Sequence, residues 1–194
     1  MKPRPVMTTA SGIRIEYLSP ETCEILDEDI AVAAENICRY NGARDVRLLD
    51  HFALVTLLAQ SQRIGTMCWS PRVVGLVALH DFHETVVGDV VSGLKLLLPE
   101  FKRIERLWEE RFHAHFGYEM PDDDEAKLVG HIDLRALVVE THATRHPVAS
   151  LTAELHGGVP TEEEWDVWHR VRSMSSALKW ALTTEAVRAG SRPR

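Results

Sequence analysis

The side chains best suited to chemistry cluster in one short stretch, LHDFHETVVGD, residues 79–89. An apolar run over residues 73–79 delivers a His-Asp pair, His80 and Asp81, into what reads as the buried middle of a helix. Burying an ionisable pair costs several kcal/mol unless something compensates the charge. Glu84 follows one turn on. At 3.6 residues per turn it lies about 40° from position 80 and about 60° from position 81, so the three side chains share one side of one helix. A neutral imidazole beside a carboxylate in an apolar setting suits a hard or borderline divalent metal, and a spare carboxylate suits the activation of water. The plainer alternative is a chance HD dipeptide and an ordinary helix-surface His/Glu pair at i, i+4.

One helix under-coordinates a metal, so other elements must contribute. His51, in the preceding amphipathic segment, is the best further nitrogen ligand, because short connections favour antiparallel neighbours. Asp133 is the best remaining acid, a lone carboxylate in the otherwise apolar stretch 128–139. The alternative for His51 is a satisfied core or surface histidine. For Asp133 it is a solvent-facing residue paired with Arg135 or Lys127. His83 either borders the site or packs in the core. His113 and His115, two apart, face different sides of a helix and make a poor metal pair.

The elements that must position these residues are helical. Apolar residues recur at helical spacing from Asp27 to Tyr40 and again from about Val46 to Gln60, the second segment carrying Asp50 and His51. Pro71 fits the first turn of the helix bearing His80. Gly88 and Gly93 break the pattern around Asp89. A further helix opens at Pro99 and runs to about Phe116. The acidic run 122–125 begins another that continues towards Thr144. Thr161 with Glu164 reads as a capping box leading the last helix, from Trp165 to about Val187. Residues 13–18 alternate and suit a short strand, and 64–70 is a connection. The class is all-α, a bundle of about six helices forming a single domain over residues 1–194, with 1–12 a flexible arm and 190–194 a frayed tail.

A chain of 194 residues, 45% hydrophobic, carries enough apolar surface for one sizeable core. Its net charge of -7 argues against a nucleic-acid polymer as partner, which calls for a basic face. It leaves room for a small anionic substrate, since a metal and a few local cations outweigh the global charge. The three cysteines, Cys23, Cys38 and Cys68, are odd in number and widely spaced, so they read as buried thiols in a reducing compartment. No apolar run approaches the roughly 20 residues of a membrane span. The expectation is a cytoplasmic protein without a membrane partner.

In order along the chain stand Ser11-Gly12, EDIA (28–31), RYNG (39–42), Asp50-His51, LHDFHETVVGD, Leu94-Lys95, LPEFKRIE (98–105), and Asp133 followed seven residues later by Glu140. This ordered set, over roughly residues 11 to 145, resembles the HD-domain phosphohydrolases, and among them the 5′-deoxynucleotidase-like branch of bacterial and phage nucleotide hydrolases. The resemblance implies an HD-domain helical bundle in which His51, His80, Asp81 and Asp133 are metal ligands. It implies that Glu84 positions or deprotonates the attacking water and that Asp89 assists the leaving group. Arg39 and Lys95 fall at basic positions near the phosphate. The divalent ion is Mn, Co, Fe, Mg or Zn, since an all-N/O ligand set does not choose between them. A homodimer is implied as well. Phe82-His83 stands where relatives have small residues, and Gly93 where a proline is frequent.

The resulting expectation is a metal-dependent phosphohydrolase of nucleotides, above all deoxynucleoside 5′-monophosphates. The rival enzyme is a dNTP triphosphohydrolase of the phage dATPase kind, which shares the ligands and attacks a different phosphorus. The rival from another class is a non-catalytic HD module that binds metal or nucleotide without turnover; Glu84 and Asp89 together count against it.

Overall fold

The computed structural model describes residues 5–61, 63–64 and 67–191. A short antiparallel hairpin opens it, β1 (Val6–Thr8) on β2 (Arg14–Glu16), with Met7 opposite Ile15. The helices that follow are α1 (Asp27–Asn36), α2 (Leu48–Ser61), α3 (Pro71–Leu79), α4 (Glu84–Val87) and α5 (Ser92–Lys95). The chain continues through α6 (Pro99–His115), α7 (Asp123–Ala143), α8 (Ala149–Leu155), α9 (Glu162–Ser173) and α10 (Ser176–Gly190). A second hairpin, β3 (Arg63–Ile64) with β4 (Met67–Cys68), joins α2 to α3. The class is all-α. Among the described residues, no helix is long and apolar enough to cross a membrane.

The centre of the fold is α2, in which every residue from Leu48 to Ala59 is buried. A helix hydrophobic all round must be covered on every side, and α1, α3, α7, α9 and α10 supply the cover. Two of its buried residues are ionisable, Asp50 and His51, and they are handled separately. Asp50 accepts from Lys179 Nζ at 2.6 Å and Arg172 Nη1 at 3.1 Å, and from the Arg47 backbone N–H at 3.0 Å. Its charge is therefore matched by cations from α10 and α9, as a buried carboxylate requires. His51 is turned towards α3 and α7 and belongs to the site.

The closest helix pairing sets α3 against α10. A Cβ placed on Gly75 would overlap the Tyr118 hydroxyl, which itself donates to the Val187 carbonyl of α10 at 2.7 Å. Just beyond α3, Phe82 is fully buried and packs its ring on Phe52 of α2 at 4.8 Å and Trp180 of α10 at 5.7 Å. Phe116 meets it edge-on at 5.6 Å. Both contacts fix the direction in which the residues after α3 leave the core.

Three features differ from the expectation of about six helices. The helix bearing His80 ends at Leu79, and the chain tightens before α4 begins. The expected last helix is two, because Met174 is extended (ψ 145°) and Ser175 starts α10 afresh by accepting from the Leu178 N–H at 3.3 Å. A separate short helix, α8, follows Pro147, which cannot continue α7. The arm at 1–12 is partly ordered: β1 pairs with β2, and Ser11 donates from N and Oγ to Asp29 of α1 at 2.8 and 2.6 Å. Residues 1–4 lie outside the described part, as do 192–194 of the expected tail, while Gly190 closes α10. The anticipated capping box of Thr161 with Glu164 is present, and the acidic run forms a second, Asp122 with Glu125. Cys23 is buried and Cys38 half-buried, each a free thiol; the side chain of Cys68 lies outside the described residues.

Because the Tyr118 hydroxyl occupies the space a Cβ would need, Gly75→Ala should cost about 1–3 kcal/mol of stability through overpacking. Urea unfolding monitored by circular dichroism measures this. An unchanged midpoint would mean that α3 and α10 are not held together at this point.

Candidate metal centre

The site is built on the turn that follows α3. Residues 80–83 keep right-handed helical backbone angles at His80 and His83. Their hydrogen bonds, however, close over three residues: Phe82 N–H to Leu79 O, Glu84 N–H to Asp81 O and Thr85 N–H to Phe82 O, at 3.0 to 3.1 Å. Such a turn has about 3.0 residues per revolution. It sends Phe82 inward while His80 and Asp81 face α2 and α7. Gly88 then ends α4 at φ 87°, a conformation that disfavours side chains, with its N–H on Glu84 O at 2.8 Å.

Four side chains from three elements converge here. His51 Nε2 lies 3.4 Å from Asp81 Oδ2 and 3.4 Å from Asp133 Oδ1. His80 Nε2 lies 3.2 Å from Asp81 Oδ2 and 3.7 Å from Asp133 Oδ1. Both Nε2 atoms are buried and without a hydrogen-bond partner. Their Nδ1 atoms, by contrast, are bonded: His51 Nδ1 to Glu140 Oε1 at 2.8 Å and His80 Nδ1 to Val77 O at 2.7 Å. A ring that donates from Nδ1 turns a lone pair outward from Nε2, the form in which histidine binds metals. Ligands about 2.1 Å from an ion stand about 3.4 Å apart in a tetrahedron and about 3.0 Å apart in an octahedron. Three of the four His–Asp distances, 3.2 to 3.4 Å, fall in that range and the fourth, His80 to Asp133, is 3.7 Å; the donor set N₂O₂ suits a divalent ion.

The electrostatics point the same way. Burial lowers the proton affinity of His80, yet Asp81 and Asp133 push its pKa up to about 10. Burial would raise Asp81 and Asp133, yet the two imidazoles hold both below the ordinary carboxylate range. The cluster stabilises positive charge strongly. Around it stand further carboxylates, Glu84, Asp89, Glu105 and Glu140, with Arg39 and Lys95 between them. Such a concentration of acids suits a divalent cation.

Behind the quartet lies Glu140, fully buried on α7. Besides His51 it binds Arg39 Nε at 3.2 Å and the Tyr40 hydroxyl at 2.7 Å. Arg39 also reaches Asp81, Nη1 to Oδ2 at 3.7 Å. Arg39 thus braces two acids of the site. The chain makes an unusual turn to bring it there: Tyr40, Asn41 and Gly42 have φ of 56°, 52° and 73°. Left-handed backbone at two residues with side chains costs of order 1–3 kcal/mol each and persists only where surroundings enforce it. The Tyr40–Glu140 hydrogen bond is one such restraint.

On the other side, Glu84 is buried and its Oε1 accepts from Lys95 Nζ at 3.2 Å. Burial first, then the Asp81 and Asp89 carboxylates, push its pKa up to about 7 against Lys95 and Arg39. Asp89 is raised as well, mainly by burial. Lys95 is not a free surface cation: its ammonium also lies 2.6 Å from Glu105 Oε1.

All eight residues singled out in the sequence therefore fall in one region, with His51, His80, Asp81 and Asp133 as its centre. Asp133 is not paired with Arg135 or Lys127, which instead bind Glu164 at 2.6 Å and Asp124 at 2.8 Å. Sequence reasoning had no role for Glu140, Tyr40 or Glu105. The available signal for Glu140 was its spacing of seven from Asp133, two helical turns on the same face. No family model matches the chain. It is 30% identical over 109 residues to the uncharacterized protein YfdR of Escherichia coli (strain K12), a match covering 56% of this chain and 57% of that protein. The chain thus spans a little over half the length of this curated relative.

Removing the support without removing a ligand is the sharpest check on the arrangement. Glu140→Gln should weaken Mn²⁺ or Zn²⁺ binding by about 10- to 100-fold, and His51→Ala should weaken it further. Isothermal titration calorimetry on the metal-stripped protein reads both. Unchanged affinity in the two variants would remove these residues from any metal centre.

Proposed function

We propose that the protein is a metal-dependent phosphohydrolase of the HD-domain type that acts on nucleotides, with deoxynucleoside 5′-monophosphates as its substrate class. The observation that carries this reading is the pair of buried, unpartnered Nε2 atoms of His51 and His80 converging on Asp81 and Asp133. These four residues would hold the divalent ion. When bound, it supplies Lewis acidity towards a phosphoryl oxygen and lowers the pKa of water.

The remaining steps belong to the chain. Glu84, with its pKa near 7, is partly ionised at neutral pH and takes a proton from the attacking water, the range in which a general base is effective. Asp89, whose proton affinity burial raises, returns a proton to the departing oxygen. Arg39 keeps Asp81 and Glu140 in place and adds positive charge beside the phosphoryl group. Lys95 orients Glu84.

A second reading, dNTP triphosphohydrolase, is favoured by the cleft of about 490 Å³ that opens beside His80 and Asp81. Lys95, Lys102 and Arg106 line it, cations suited to further phosphates. The reading as a homodimer is supported by the exposed leucines Leu94, Leu96, Leu97 and Leu98 beside the site, an apolar surface of the kind that partners cover.

Incubating the protein with deoxy- and ribonucleoside mono- and triphosphates, with Mn²⁺, Co²⁺ or EDTA, tests the proposal. Metal-dependent release of inorganic phosphate from deoxynucleoside monophosphates is expected. Tripolyphosphate from triphosphates would select the second reading, and absence of turnover with every metal would leave a binding module. Glu84→Gln should lower kcat by about 10²- to 10⁴-fold while the protein still binds metal.

A further inference from the structure

The turn that carries the first cluster holds a doubled pair. His80-Asp81 is followed, after Phe82, by His83-Glu84. Where hydrogen bonds close over three residues, side chains at i and i+3 eclipse. His83 therefore stands one turn beyond His80 in the same row, and Glu84 one turn beyond Asp81. The ring orientation repeats too. His83 Nδ1 donates to the His80 carbonyl at 3.1 Å, as His80 Nδ1 does to that of Val77 at 2.7 Å. The Nε2 edge of His83 faces a third acid, Glu105 of α6, at 3.8 Å.

The ligand atoms of His83, Glu84 and Glu105 lie within 4.8 Å of one another. A cation already sits among them: Lys95 Nζ, 2.6 Å from Glu105 and 3.2 Å from Glu84 Oε1. One ammonium does not satisfy the group. The Glu84 side chain is 5% exposed, and its second oxygen, Oε2, is buried with no hydrogen-bond partner. A buried carboxyl oxygen left without a partner is costly.

We propose that His83, Glu84 and Glu105 form a second cation site, filled in the resting protein by the Lys95 ammonium and open to a divalent ion once that ammonium is withdrawn. One imidazole and two carboxylates suit Mn²⁺, Co²⁺ or Zn²⁺. The chain then holds its two positive charges in two forms, one a metal at the His51 cluster and the other a lysine. This count rests on the metal-centre reading above, and the test separates the two.

Metal content is measured by equilibrium dialysis against Mn²⁺ followed by elemental analysis, with folding verified by circular dichroism. The wild-type protein should hold one equivalent, and Lys95→Met and Lys95→Ala each two. Lys95→Met combined with Glu105→Gln should return to one. Adding His51→Ala to Lys95→Met should also leave one equivalent, now at the second site. No gain of metal in either lysine variant would overturn the proposal, as would a gain that survives Glu105→Gln. Wild-type protein without metal, beside Lys95→Met with one equivalent removed by Glu105→Gln, would support the second site and instead overturn the first.

Discussion

The bond between His51 Nδ1 and Glu140 Oε1 is the interaction on which the candidate site depends. It lies wholly inside the protein, and it decides which edge of the His51 ring faces Asp81 and Asp133. Every other partner of Glu140 serves the same end. Arg39 balances its charge and extends to Asp81, and Tyr40 occupies one oxygen so that the other remains for the histidine. Burying a carboxylate at this depth is unfavourable in isolation. It is sustainable because an arginine, a phenol and an imidazole all meet it.

The surrounding helices can be understood as the means of holding that bond beside the turn after α3. His51 comes from the most buried helix of the fold, and Asp133 and Glu140 from one face of the longest. His80 and Asp81 come from a turn anchored by Phe82, whose ring is wedged between α2 and α10. Sites on elements locked by packing keep their geometry better than sites on loops. Arg39, Tyr40 and Asp89 arrive on irregular backbone, and at Tyr40 the chain adopts left-handed angles to reach the site.

Much of this was legible in the sequence, for identifiable reasons. Helical periodicity exposed α1, α2, α3, α6 and α7, and residue types the capping box at Thr161, because an amphipathic face and a cap are local signals. The four central residues stood out because they are ionisable groups set in apolar runs. What could not be read was the company each group keeps. Glu140 looks like any acid late in a helix until His51, 89 residues earlier, is placed against it. The resemblance sets Lys95 near the phosphate, but its pairing with Glu105 could not be read, since that acid lies in another helix. The break at Met174 left no strong mark either, because neither glycine nor proline stands there and Ser175 alone begins the new helix.

Asp50 and His51 are neighbours in α2, yet the cations that neutralise Asp50 lie 122 and 129 residues further on. During synthesis, which delivers residues from the N-terminus onward, the segment that bears His51 is therefore made long before Arg172 and Lys179 exist. Until they emerge, packing α2 into a core would bury an unmatched carboxylate next to the site. Matching the charge of Asp50 in the packed core therefore requires both C-terminal helices, α9 for Arg172 and α10 for Lys179.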